Sequence, residues 1–182
     1  MAWVPFRGNF LVADTSSLIY LAKASIIRSF LESFEVTVPP SVHRELIREG
    51  YPHSEEIRRF SEEGFLAIQP VKKPSGLNPT FLKGGERDVI ILFYQLGSDG
   101  ILIDDGAGVR TCRKHGIPFV SALLVPSLLL IKNTIDAKQA KKSLDKIERI
   151  GRYSREVILF ARTCFFQAIG PDDGSIERKD EN

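Results

Sequence analysis

The stretch from Phe10 to Leu21, FLVADTSSLIYL, constrains the fold of this chain most strongly. Its first four residues form a short apolar run, which is typical of a strand buried on both faces. Asp14 follows that run, and Thr15–Ser17 can begin a helix whose apolar face continues through Leu21. Ligands bind at the carboxyl ends of strands in an open parallel sheet, so Asp14 is a candidate site residue. The alternative is that its carboxylate only caps the helix.

The same order of apolar run and helix repeats along the chain to about Asn133. Further strands are predicted at residues 34–38, 65–70, 101–103 and 117–120, and the first helix is expected to end near Ser33. Because the connections are short and helices alternate with strands, residues 1–133 are predicted to form an α/β domain. Its central sheet is mostly parallel and is flanked by helices in a three-layer arrangement.

Two amphipathic helices are predicted to follow this domain, at residues 136–150 and 154–166. They predict a C-terminal helical hairpin over residues 134–169, either packed on the α/β domain or lying at the interface of a homodimer. The remaining residues, 170–182, are polar and charged and are expected to form a loose tail. Before the predicted helix at Gly84, the stretch 71–83 has the Pro, Gly and Asn content of a loop long enough to border a site.

The composition narrows the class of protein. The 182 residues include 25 basic and 23 acidic side chains, for a net charge of +2, so any nucleic-acid contact must come from a local basic patch. Two cysteines without a CxxC pair favour a reducing cytoplasmic location. The most apolar segment, 117–131, contains two prolines and falls short of the roughly 20 residues that cross a bilayer, so no membrane partner is expected.

A second strand end also carries acidic side chains. The run Ile101–Ile103 ends in Asp104 and Asp105, and in neighbouring parallel strands these carboxylates would converge with Asp14. Like charges in a small pocket raise each other's pKa, and a divalent cation such as Mg²⁺ or Mn²⁺ relieves the repulsion. Glu86, at a predicted helix start, and Glu45, on a predicted helix, can supply further carboxylates.

Each of these acids also has a purely structural explanation. Asp104 or Asp105 can cap the following helix, Glu86 can favour a helix N-terminus, and Glu45 can be a solvated helix residue. The metal hypothesis requires the carboxylates of Asp14, Glu86 and Asp104 to converge within reach of one cation.

Four segments in register resemble a PIN domain, and in particular its prokaryotic branch with a Gly-Glu third motif. They are VADTSSLIYLA, VPPSVHREL, GGERDVI and LIDDGAGVR, and the resemblance covers residues 10–133. The later segment LDKIERIGRYSREVILFA is similar to the helix pair that often follows in that branch. The resemblance implies a metal-dependent endoribonuclease, often the toxin of a toxin–antitoxin pair, so the implied partners are RNA and an antitoxin protein. A catalytically silent module that binds RNA or protein is the alternative.

By position, the resemblance assigns a role to each acid. The implied catalytic acids, in order along the chain, are Asp14, Glu45, Glu86 and Asp104. Asp105 is the supporting neighbour of the fourth acid, and Asp88 is the alternative to Glu86 as the third. The implied metal ligands for Mg²⁺ or Mn²⁺ are Asp14, Glu86, Asp104, Asp105 and Asp88.

The resemblance and the charge pattern together suggest how RNA is held. Ser16 falls where the family often has a small polar residue that helps to hold the first acid. Cations near the predicted acids are available for backbone phosphates, although a merely solvated face is the alternative. The candidate substrate-binding residues are Ser16, Arg87, Arg110, Arg113 and Lys114.

Overall fold

The computed structural model describes residues 6–72 and 84–170. The strands in these residues are β1 (Phe10–Ala13), β2 (Glu35–Val38), β3 (Leu66–Ile68), β4 (Gly100–Leu102) and β5 (Phe119–Val120). They form one sheet in the order β3-β2-β1-β4-β5, and every pair of neighbours is parallel. The α/β prediction is therefore confirmed, and the sheet is parallel throughout the described strands.

Helices make the crossovers that parallel strands require. The helices between the strands are α1 (Thr15–Lys23), α2 (Ile27–Ser33), α3 (Pro40–Leu46), α4 (Ser54–Glu62), α5 (Gly84–Leu96) and α6 (Gly106–His115). After β5 come a short 3-10 turn (Ala122–Leu124), α7 (Val125–Ile131), α8 (Ala137–Ile150) and α9 (Arg155–Ile169). Among the described residues, no helix combines the length and the apolarity needed to cross a membrane.

The strand β1 lies at the centre of the sheet. Leu11, Val12 and Ala13 are each fully buried, and because successive strand residues point to opposite faces, both faces of β1 are covered. The chain builds outward from β1 to β2 and β3 on one side, then to β4 and β5 on the other. The order thus reverses between β1 and β4, which is where α/β proteins form ligand sites.

The first predicted helix is wrong in one respect. The chain forms two helices, α1 and α2, because Ser25 adopts a left-handed backbone conformation with φ of 60°. The amide of Ala24 donates to the carbonyl of Tyr20, and the amide of Ile26 donates to that of Leu21, which closes the end of α1. Glycine usually occupies a position with a left-handed backbone conformation, and a serine there does not predict the end of a helix.

The two C-terminal helices contact each other and the rest of the fold. The helix α8 packs against α1 and α7 through buried residues that include Ala140, Leu144 and Ile147, and α9 packs against α7. The apolar face of α8 is therefore used within the chain. The predicted loop at 71–83, from residue 73 onward, and the predicted tail after residue 170 lie outside the described residues.

Candidate functional site

Four carboxylate side chains line one cleft of about 350 Å³ at the carboxyl edge of the sheet. Each comes from a different element: Asp14 follows β1, Glu45 lies in the last turn of α3, Glu86 lies in the first turn of α5, and Asp105 follows β4. The pairing of Ala13 with Leu102 brings the ends of β1 and β4 together. Residues far apart in the chain therefore meet at one edge, as the strand-end hypothesis requires.

Asp14 is held rigidly at the floor of this cleft. Its Oδ1 accepts a hydrogen bond from the amide of Ser17 at 2.9 Å, and its Oδ2 accepts one from the hydroxyl of Ser16 at 2.7 Å. The side chain thus caps α1, and only 5% of its surface is exposed. Capping and site formation are not alternatives here, because both follow from the same tight turn between β1 and α1.

The position of Glu86 depends on close packing between α3 and α5. A Cβ atom at Gly85 would lie 3.3 Å from Cγ2 of Val42, so a larger residue would require the Val42 side chain to shift by a few tenths of an ångström. Glycine at this position therefore lets the start of α5 approach α3, with Glu86 facing the cleft. On the α3 side, Oε2 of Glu45 accepts a hydrogen bond from the hydroxyl of Thr15 at 2.8 Å, which ties Glu45 to α1.

Asp88, the alternative third acid, lies elsewhere. It lines a separate groove together with Arg87, and its Oδ2 accepts a hydrogen bond from the hydroxyl of Ser41 at 2.5 Å. One helical turn carries Glu86 and Asp88 to different faces, because residues two apart do not share a side of a helix. This placement supports Glu86 over Asp88 as the third acid, and it separates Arg87 from the acidic cleft.

Burial and mutual repulsion change the ionisation of the cleft acids. Burial raises the pKa of Asp14 to about 6, against the opposing effect of its hydrogen bonds from Ser17 and Ser16. Burial also raises the pKa of Glu86 to about 7, helped by a hydrogen bond to Asp105 and by the charges of Asp105 and Asp14. The pKa of Asp105 is lowered, chiefly by that hydrogen bond. The opposite shifts of Glu86 and Asp105 indicate that the two carboxyl groups interact and that Glu86 is the one that holds a proton more readily.

The raised pKa of Asp14 predicts a stability effect with a definite sign. Between its unfolded pKa of 3.8 and its folded pKa of about 6, the folded protein binds more protons than the unfolded chain, so stability falls as the pH rises. A pKa shift of this size corresponds to ~3 kcal/mol in the free energy of unfolding. Water that enters the cleft should reduce this contribution by about half. In EDTA, we expect Asp14→Asn to be about 1.5 kcal/mol more stable than wild type above pH 7 and equal to it near pH 4, measured by urea unfolding.

Asparagine is the appropriate replacement because its amide can keep both hydrogen bonds of Asp14, accepting from the amide of Ser17 and donating to the oxygen of Ser16. A pH-independent difference between the two proteins would show that the buried charge of Asp14 is not the cause.

Asp104 lies beside the cleft but not among its lining residues. Its Oδ1 accepts from the hydroxyls of Ser121 at 2.5 Å and Tyr153 at 2.8 Å, and its Oδ2 accepts from the hydroxyl of Ser17 at 2.6 Å and the amide of Ala122 at 2.9 Å. These four donors occupy the acceptor positions of a carboxylate. Asp104 therefore joins α1, the 3-10 turn and the loop before α9 in one hydrogen-bonded network.

The structure thus brings together three of the predicted metal ligands, Asp14, Glu86 and Asp105, together with Glu45. It does not bring the carboxylate of Asp104 into the cleft that they line. Asp104 and Asp14 are nevertheless neighbours through Ser17, whose amide donates to Asp14 and whose hydroxyl donates to Asp104. The assignment of Asp104 as the fourth metal-binding acid remains a prediction.

Arg110 acts on the cleft from α6. Its guanidinium lies against the start of α6, where a Cβ atom at Gly106 would be 3.3 Å from Nη1 of Arg110, and its positive charge lowers the pKa of both Glu86 and Asp105. Asp105 also caps α6, accepting from the amide of Ala107 at 2.7 Å. Farther along α6, Arg113 lies over the ring of Phe119, and Lys114 is exposed in the last turn.

The chemistry of the cleft suits a hard divalent cation. Its candidate ligands are carboxylate oxygens, which Mg²⁺ and Mn²⁺ prefer, and the negative charges of Asp105 and Asp14 contribute to the raised pKa of Glu86. In the described residues, no three His, Cys, Asp or Glu side chains come together as a ready-made metal site. The donor set therefore fits a divalent cation, and the side chains must draw closer to bind it.

Sequence reasoning named Ser16, whose hydroxyl donates to Asp14, but it missed two other side chains that hold these acids. Ser17 links Asp14 to Asp104, and Tyr153 reaches Asp104 from the loop between α8 and α9. An aspartate at the start of a helix is a local signal for the hydrogen bond that the backbone amide of Ser17 donates to Asp14. No local signal exists for Tyr153, because its partner lies 49 residues earlier in the chain.

Comparison with known proteins gives the family. A family model described as a PIN domain matches residues 10–161, which is most of the chain. No curated protein and no solved structure matches the chain significantly. PIN domains are typically metal-dependent nucleases. The match includes every acid of the cleft and continues into the first half of α9, and the chain belongs to the PIN-domain family.

Proposed function

We propose that this protein is a metal-dependent endoribonuclease that hydrolyses RNA phosphodiester bonds with Mg²⁺ or Mn²⁺. The observation that supports this most directly is the convergence of Asp14, Glu45, Glu86 and Asp105 on one cleft. Bringing four carboxylates together without a cation destabilises the folded protein, as the raised pKa values of Asp14 and Glu86 indicate. A role in binding a cation explains why the fold tolerates that cost.

In this proposal Asp14, Glu86 and Asp105 hold the cation, and Glu45 completes the acidic lining. When bound, a divalent cation polarises the scissile phosphate and lowers the pKa of the attacking water. Ser16 and Ser17 fix the orientation of Asp14, so this ligand is preorganised. Arg110 lies on the same side and offsets the repulsion between the acids and an approaching phosphate. The acids bind and position, and none acts as the nucleophile.

RNA is the proposed substrate, and a short footprint is expected. The net charge of +2 gives a weak overall attraction for a polyanion, so contacts must come from nearby cations such as Arg110 and Arg113. Arg87 lies in the groove with Asp88, away from the acids, and is a weaker candidate.

The proposal is tested by incubating the protein with a pool of structured RNAs in Mg²⁺, in Mn²⁺ and in EDTA. We expect discrete cuts with either metal and none with EDTA, together with calorimetric binding of the same cations. If neither cleavage nor cation binding is seen, the catalytically silent RNA- or protein-binding module becomes the better interpretation.

Two finer assignments belong to the same proposal. The first is a toxin role, with an antitoxin protein as partner. It is tested by asking whether expression of the active protein arrests growth and whether a neighbouring gene product reverses the arrest. The homodimer is supported by α9, on which Leu159 and Phe166 are more than half exposed. Light scattering distinguishes the monomer of 20.4 kDa from a dimer of about twice that mass.

A further inference from the structure

A second cavity, of about 320 Å³, lies directly beside the acidic cleft. It is bordered by α6, α9, the 3-10 turn and the loop before α9. Its walls are mainly apolar and include Val109, Leu124 and Val157. Three aromatic rings also line it: Phe119, Tyr153 and Phe160. Phe160 is 50% exposed, so its ring is accessible to a ligand. The cavity therefore offers a mainly apolar surface on which an aromatic ligand can stack.

Two positive side chains give this cavity its charge. Arg113 lies over the ring of Phe119, with its guanidinium carbon 6.0 Å from the ring centroid, and Arg152 lines the cavity from the loop before α9. Within residues 6–72 and 84–170, neither arginine forms a salt bridge. The carboxylate of Asp104 also borders the cavity, but four hydrogen-bond donors already compensate it. The cavity therefore favours a ligand group that accepts hydrogen bonds and that is part of a negatively charged molecule.

Two pairs of consecutive residues show that the cavity and the cleft lie near each other. Asp104 borders the cavity whereas Asp105 lines the cleft. On α1, Ile19 lines the cleft, and the ring of Tyr20 lies 6.2 Å from the ring of Tyr153, which borders the cavity. Neighbouring nucleotides of a single polynucleotide strand can therefore bind in the cavity and in the cleft.

We propose that this cavity binds one unstacked base of the RNA strand whose phosphate lies in the acidic cleft. The inference rests on the proposed nuclease function and adds the way in which the strand is gripped. The base stacks on Phe160, while the arginine donors face acceptor atoms on its edge, of the kind that guanine O6 and N7 provide. Single-stranded RNA is commonly read in this way, by stacking combined with hydrogen bonds to the base edge.

The test separates the bases from the charge of the strand. Fluorescence anisotropy in EDTA measures the affinity of the full-length protein for a labelled single-stranded RNA and for an abasic ribose-phosphate strand of equal length. Stacking of one base is worth about 5- to 100-fold in affinity. We expect Phe160→Ala to weaken RNA binding about tenfold and to change binding of the abasic strand less than about twofold.

An exposed aromatic residue on another helix supplies a matched control. Tyr94 on α5 is 44% exposed and does not border the cavity, so Tyr94→Ala should leave both affinities unchanged. Val157→Phe fills the cavity without removing a ring and should reproduce the loss seen with Phe160→Ala. The proposal is overturned if Phe160→Ala weakens the binding of both strands equally. It is also overturned if the affinity for RNA is unchanged, and an apolar side chain of a protein partner would then be the next occupant to test. Because these measurements need no cleavage, they are independent of whether the nuclease proposal holds.

Discussion

Replacing Asp14 by asparagine is expected to lower the kcat/KM for metal-dependent RNA cleavage at least about 100-fold, or ~2.7 kcal/mol of transition-state stabilisation. The side chain lies at the floor of the acidic cleft, and asparagine keeps its hydrogen bonds to Ser16 and Ser17 while removing the charge. The loss therefore reports on cation binding and not on the turn between β1 and α1. Initial rates on a labelled RNA at saturating Mg²⁺ measure it.

Asp88→Asn is the matched control for this experiment. Asp88 is an acid on the same helix as Glu86 but lies in a different groove, so its replacement should change kcat/KM less than about threefold. Glu86→Gln should resemble Asp14→Asn, because Glu86 lines the cleft. Cleavage that survives in Asp14→Asn, or that is lost equally in Asp88→Asn, would contradict the assignment of the site.

Asp104→Ala is expected to destabilise the fold by about 3 kcal/mol. The carboxylate accepts four hydrogen bonds, and its loss leaves the fully buried hydroxyl of Ser17 and the hydroxyl of Tyr153 without their acceptor. Because the network joins three separate parts of the chain, neighbouring residues cannot easily replace it. Urea unfolding, with the slope compared between variant and wild type, gives the difference in free energy.

Asp105→Ala provides the comparison for Asp104→Ala. Asp105 is exposed and caps α6, so its loss should cost only about 1 kcal/mol in stability while abolishing cleavage. Tyr153→Phe removes one donor to Asp104 and should cost about 1 kcal/mol. The prediction for Asp104 fails if Asp104→Ala unfolds at the same urea concentration as wild type.

Asp105→Asn and Asp104→Asn also separate the two acids in catalysis. If Asp105 holds the cation and Asp104 positions its neighbours, Asp105→Asn should reduce Mg²⁺ affinity at constant stability. Asp104→Asn should instead lower stability and leave measurable Mg²⁺ binding in the folded protein. Calorimetric titration with Mg²⁺ distinguishes these outcomes, and loss of binding in Asp104→Asn alone would favour Asp104 as the fourth acid.

Much of the fold was predictable because its signals are local. The buried run Phe10–Ala13 and the later run ending at Leu102 are short and apolar, and each is followed directly by an acid and a helix start. Such a pattern indicates parallel strands, whose ends must share an edge of the sheet. That rule places Asp14 and the Asp104–Asp105 pair at the same edge, and the pairing of β1 with β4 in the folded sheet brings them close together. The break at Ser25 was not predictable, since serine has no strong preference for a left-handed conformation.

The sequence by itself determined that several acids gather at one edge of a parallel sheet, since strand periodicity and strand ends are properties of short segments. Only the tertiary structure decided which of two consecutive acids faces the cleft. Asp104 and Asp105 are chemically alike, and their orientation depends on donors from Ser17, Ser121 and Tyr153, which lie far from them in the chain. Such long-range hydrogen bonds exist only after the chain has folded, so no local pattern encodes them.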